Sequence, residues 1–202
     1  MGVFPRIGIP NQRRLVLSAM ALCITAPAWV GAADIRGNWF FHTYLAQFTD
    51  TRFLEIVQLH TDFEPSRLAA IGGGSVFATL GSNAHLEWEV NAAHHWGMQQ
   101  HIEVNGIVSA RWYGFPWQQH LRTSVALGTG PSYAFRDPSL EERRGREPSR
   151  LLQFLLLDIT VAPPSWRNWS GFARIHHRSG VFGLVAEAGG SNFIGIGVRR
   201  HH

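Results

Sequence analysis

The sequence predicts an all-β fold: an eight-stranded antiparallel transmembrane β-barrel of the outer-membrane type. Three observations point to it. Apolar and polar residues alternate with period two over successive segments of about ten to sixteen residues, and no helix of ordinary length stands out. The polar side of this alternation is filled with carboxylates, amides and arginines, where a soluble core wants leucine and valine. Aromatic residues collect near the strand ends, at Trp96, Trp112, "YGFPW" (113–117), Trp166 and Trp169, as interfacial girdles do.

The chain opens with a segment that does not belong to the barrel. "MGVFPRIGIPNQRR" holds Arg6, Arg13 and Arg14 and no acid, "LVLSAMALCITAPAWV" is apolar, and "VGAAD" offers small residues for cleavage after Ala32 or Ala33. That order predicts a secretory signal peptide over residues 1–33 and a single barrel domain over 34–202. The apolar run is short for a membrane-spanning helix, and Pro27 interrupts it. Removing the signal leaves 15 basic residues against 14 acids, so the net charge of +4 and the pI of 10.2 overstate the basicity. Nucleic acid is therefore not an expected partner. The single cysteine, Cys23, leaves with the signal, and with it any thiol or disulfide chemistry. All the basic residues are arginine. That suits two-pronged phosphate binding, but a GC-rich codon bias is the reading we favour.

The strands follow in order. One is expected within 37–60, where "TDTRFLEIVQL" reads equally well as a short helix capped by Thr49 or Asp50. A second falls within 67–80. "HLEWEVNA" sets Leu86, Trp88, Val90 and Ala92 against His85, Glu87, Glu89 and Asn91. "HIEVNGIVSARWY" sets Ile102, Val104, Val108, Ala110 and Trp112 against His101, Glu103, Asn105, Ser109 and Arg111. "LRTSVALGTGPSYAF" does the same with Leu121, Val125, Leu127 and Tyr133 against Arg122, Ser124, Gly128 and Ser132. "LLQFLLLDITVA" (151–162) is apolar on both faces except for Gln153 and Asp158. The seventh strand is expected over 167–183, and the last, "SNFIGIGVRR", sets Ile194, Ile196 and Val198 against Phe193, Gly195, Gly197 and Arg199. In a bilayer only closure of such strands into a cylinder satisfies their edges.

"GFARIHHRSG" breaks the pattern. Residues two apart on a strand share a face, so His177 and Ser179 share one with Ala173 and Ile175, the lipid side. Phe172, Arg174, His176 and Arg178 take the other. Polar groups on a lipid-facing surface cost free energy and invite a functional reading. A histidine that takes a serine proton makes an activated nucleophile when a third group orients its ring.

"RIHHRSG" followed by "GGSNFIGIGVRR" resembles the end of the PagL family of lipid A 3-O-deacylases, over roughly the last thirty residues. The resemblance implies an eight-stranded outer-membrane barrel that hydrolyses an ester-linked acyl chain of lipopolysaccharide (lipid A), with His177 and Ser179 at the family's His-x-Ser and no cofactor. It also implies a third catalytic residue, a glutamate about a dozen residues past the serine. Here Ser191 or Asn192 stands in that place. Asn192 shares the face of Ile194 and Ile196, so the orienting residue is Asn192 or the nearby Glu187. Register decides: His177 faces Asn192 only if the hairpin centres near Leu184 and Val185.

Other readings of the chain predict other outcomes. A non-catalytic small outer-membrane barrel with a structural or lipid-binding role predicts that His177 and Ser179 are replaceable. The histidine pairs 94–95, 176–177 and 201–202 place neighbours on opposite faces and join no Cys or H-E-x-x-H pattern, so no metal is expected. "EERRGRE" (141–147) is a mixed-charge loop that reads as solvated or as a clamp for lipid A phosphates through Arg143, Arg144 and Arg146.

Overall fold

The computed structural model describes residues 39–58, 60–142, 149–180 and 190–202. Eight antiparallel strands form one closed barrel in chain order. They are β1 (Trp39–Thr49), β2 (Phe63–Leu80), β3 (Ala84–Trp96), β4 (Ile102–Trp112), β5 (Arg122–Ala134), β6 (Leu151–Ala162), β7 (Trp169–Ser179) and β8 (Gly190–His201). Closure comes from β8 pairing with β1, for example Val198 with Thr43 and Ile194 with Gln47. Every strand edge then has a partner, which the bilayer interior demands. Two short helices sit in the connections, α1 (Phe53–Val57) and α2 (Ser139–Glu142). The expected signal peptide, Glu187 and the arginines at 143, 144 and 146 lie outside the described residues.

The alternation read from the sequence is the inside–outside division of the wall. Ile71, Val90, Val108, Leu127, Ile159 and Ile196 face outward and are exposed. Glu87, Glu89, Glu103, Arg111, Asp158, Arg174 and Arg199 face inward and are buried. Two aromatic bands flank the apolar zone. Trp39, Trp112, Trp117, Trp166 and Trp169 lie exposed at the end that carries the described chain termini, and Phe63, Tyr133 and Phe135 at the other.

The lumen is filled rather than open, and its charges balance. Arg111 donates from Nε to both oxygens of Glu87 at 3.0 Å and from Nη2 to Asp158 at 3.2 Å, with Ser124 and Thr160 accepting from Nη1. Arg174 bridges Asp158 (2.8 Å) and Glu89 (2.7 Å). Arg199 donates to Glu87 and lies 3.5 Å from the centre of the Phe40 ring. Three carboxylates thus meet three guanidiniums, which buried charges require. Glycine makes room where the filling is tightest. A Cβ on Gly197 would stand 2.6 Å from the Phe172 ring and from Tyr44 Cβ.

Segment 49–60, readable as strand or helix, is divided between the two. Thr49 stays in the ladder opposite Asn192, so neither Thr49 nor Asp50 caps the helix. Its N-terminus instead falls at Arg52, whose N–H donates to Glu55 at 3.2 Å. β2 begins at Phe63, earlier than expected, because Phe63 still pairs with Thr49. β7 starts at Trp169 and ends at Ser179, with 181–183 outside the described residues.

Candidate active site on the outer face

β7 and β8 bring the candidate residues together at the barrel end opposite the termini. The ladder pairs His177 with Asn192 and Ser179 with Gly190, the register that sets His177 facing Asn192; the hairpin tip itself, expected near Leu184 and Val185, lies outside the described residues. His177 and Ser179 face outward and are half-buried. Their flanking neighbours on β7, His176 and Arg178, face the lumen and are buried.

Asn192 reaches His177 directly. Its Oδ1 lies 2.5 Å from Nδ1 of the imidazole. The amide's other end fixes which atom faces the ring: Nδ2 donates to the Thr51 carbonyl at 2.7 Å. A carbonyl only accepts, so Nδ2 belongs there and Oδ1 is left for the histidine. An oxygen opposite Nδ1 selects the tautomer with its proton on Nδ1. Nε2 then keeps a lone pair, the form a general base needs.

The connection between β1 and β2 supports this arrangement. Residues 50–58 bring in the Thr51 carbonyl and the Phe53 ring, whose centre is 5.2 Å from that of His177. Asn192 is only 4 % exposed although it points away from the lumen. A polar amide is tolerated there because both its ends are hydrogen-bonded. Thr51 precedes α1 and owes its position to Thr49, whose Oγ1 accepts from the Thr51 N–H.

Sequence reasoning gave no role to Gln153. It stands directly opposite Ser179 on β6, faces outward, and donates to Thr129 Oγ1 at 2.5 Å. A lone amide at an outward position of an apolar strand was the available signal. A second group escaped the sequence reading because it forms across a turn. His95, His101 and Glu103 converge inside the barrel, with their ligating atoms within 4.8 Å of one another.

No protein-family model matches the chain, and no curated protein matches it in sequence. Solved structures do match in fold. The outer membrane enzyme PagL superposes with a TM-score of 0.53 at 9 % identity, covering 81 % of this chain and 99 % of that one. Neisserial surface protein A (NspA) superposes with a TM-score of 0.50 at 11 % identity, covering 82 % of this chain and 97 % of that one. The chain has the fold of an eight-stranded outer-membrane β-barrel. At these identities the likeness is one of fold and assigns no activity.

Proposed function

We propose that this protein is an outer-membrane ester hydrolase that removes an ester-linked acyl chain from lipid A, with Ser179 as nucleophile and His177 as base. The reading rests on one observation: a serine and a tautomer-fixed histidine stand two residues apart on the outward face. A barrel wall offers such groups to lipid, not to water. Ser179 Oγ attacks the ester carbonyl while His177 Nε2 takes its proton. The imidazolium then returns that proton to the leaving alkoxide, freeing the sugar hydroxyl. Water attacks the acyl-serine by the same route in reverse and releases the fatty acid. Asn192 holds the ring through Nδ1–H. An amide adds no full charge to stabilise the imidazolium, so the rate falls short of what a carboxylate at this position supports.

Outer-membrane residence, export through a cleaved signal, and lipopolysaccharide as partner belong to the same proposal. The fold likeness to outer-membrane barrels supports the residence.

A rival reading has an observation of its own. The group on His177 is an amide, not a carboxylate, which suits a barrel with a structural or lipid-binding role. One experiment separates the two. Lipid A is extracted from cells producing the wild type, Ser179→Ala or His177→Ala and weighed by mass spectrometry. We expect a species lighter by one acyl chain in the wild type alone, with all three barrels folded. The same species in the Ser179→Ala cells removes Ser179 as the nucleophile, and its absence throughout assigns the protein to the rival class.

A further inference from the structure

We propose that His95, His101 and Glu103 form a binding site for a divalent transition-metal cation of the zinc class inside the barrel, behind the outward-facing histidine and serine. The proposal is independent of whether the outer face is catalytic.

The turn between β3 and β4 builds the site. Gly97 adopts φ +102, a conformation that side chains rarely take, and a Cβ there would collide with the Pro65 carbonyl at 2.4 Å. The chain reverses at this point, and the His95 N–H donates to the His101 carbonyl at 2.9 Å. The two histidines thereby stack, with ring centres 4.3 Å apart and planes 13° from parallel. Glu103 lies two residues along β4 on the same inward face. Its Oε2 is 3.1 Å from His95 Nε2 and 4.0 Å from His101 Nε2.

His101 is the observation that points to a ligand. It is 4 % exposed, and neither ring nitrogen has a hydrogen-bond partner. Its neighbours are satisfied: Glu103 Oε1 accepts from His176 Nε2 at 2.9 Å, and His176 Nδ1 accepts from the Tyr44 hydroxyl at 2.7 Å. Burying an imidazole with both nitrogens unmet costs free energy, and a cation at Nε2 removes half of that cost. Two imidazoles and a carboxylate are a donor set for zinc-like ions, whose bonds of about 2.0–2.2 Å place tetrahedral ligand atoms roughly 3.3 Å apart. The 4.0 Å separation closes by a turn of the His101 ring, which no hydrogen bond restrains.

The surroundings complete the site. Gln99 lies 2.9 Å from His95 Nδ1, and its Oε1 has no partner. With the amide turned over, Gln99 Oε1 accepts from His95 Nδ1–H, and His95 Nε2, which here meets Glu103 Oε2 at 3.1 Å, carries the lone pair that a metal would take up between them, the usual outer-shell arrangement. Arg178 Nε, 3.4 Å from Glu103 Oε2, opposes a cation and limits its affinity. Arg178 also donates to Ser132 and to the Arg150 carbonyl. His101 also lines a cavity bounded by His94, Gln100, Phe135 and Arg136, which gives the ion a way in.

The test uses the folded barrel in detergent, freed of metal with a chelator and titrated with zinc chloride, with cobalt(II) as the spectroscopic probe. We expect one zinc per barrel and tetrahedral cobalt bands. His101→Ala, which breaks no hydrogen bond, should weaken binding by roughly 100-fold or more, since loss of even an outer-shell partner costs 10–100-fold. His120→Ala, exposed in the connection between β4 and β5 at the opposite end of the barrel, should leave it unchanged. The absence of stoichiometric binding, unchanged affinity in His101→Ala, or loss only on removal of His201 and His202 each overturns the proposal.

Discussion

Inward from β7, His176 and Arg178 enter a network of buried charges; outward from the same strand, His177 and Ser179 stand half-buried on the outer wall, opposite Asn192 and Gln153. On the inner side the ions are held several times over. Arg174 makes four charge-assisted hydrogen bonds to two carboxylates, and Arg111 reaches two carboxylates and two hydroxyls. On the outer side one amide fixes one imidazole, and that amide is tied to a loop carbonyl 141 residues away in sequence. A buried ion without its partner is costly, so inner residues answer to the fold. Outer residues carry no such burden. Their polarity, set against lipid, is left for chemistry to explain.

The comparison breaks most readily at Arg174. Replacing it with methionine leaves Glu89 and Asp158 buried beside each other with their main cation gone. We expect a loss of about 3–5 kcal/mol, the usual cost of orphaning a buried charge. Urea unfolding of the barrel in lipid vesicles, read by heat-modifiable gel migration, measures it. A shift below about 1 kcal/mol, the scale of an exposed pair, would mean that water screens the lumen and that the two faces do not differ in kind.

Much of this division was written in the sequence. A period of two assigns Glu87, Glu89, Arg111 and Arg174 to one side and Val90, Val108 and Ile196 to the other, because the pleat permits nothing else. The shared face of His177 and Ser179 follows from the same rule. What the period cannot supply is who meets whom across strands. Whether His177 meets Asn192 depends on the length of a hairpin, and only the ladder shows that pairing. The Thr51 carbonyl that orients the amide belongs to the far end of the chain. Segment 49–60 stayed ambiguous because its helix is a single turn, with too little periodicity to read. The convergence of His95, His101 and Glu103 was hidden for a related reason. Adjacent histidines on one strand do diverge, but a reversal at Gly97 brings different ones together.

Asn192 sharpens the comparison at intermediate scale. If outer residues serve chemistry, Asn192→Ala should slow deacylation by roughly 100-fold, as expected when the group ordering a general base is lost. The same change should cost only about 1 kcal/mol of stability, the net worth of its hydrogen bonds. Lipid A mass spectrometry over time gives the first number and vesicle unfolding the second. A large stability loss with no change in rate would move Asn192 to the structural side of the wall.

The smallest effect is expected where an ion pair lies outside both regions. Asp137 and Arg150 meet at 2.7 Å in the connection between β5 and β6, half-exposed to water. The hydrogen bond from Arg150 holds the Asp137 carboxyl below its ordinary value. A carboxyl lowered in the folded state stabilises above its unfolded pKa, and that contribution fades as pH falls through the folded one. Solvent screens this pair, so its contribution should be too small to detect. Asp137→Asn should therefore unfold with the wild type at neutral pH, and the two curves should also coincide in acid, where the aspartate is protonated. The pair resembles those of the lumen in geometry and differs in exposure alone. Its silence beside a large Arg174→Met effect would show that burial, rather than contact distance, separates ions that hold the barrel from ions that only decorate it.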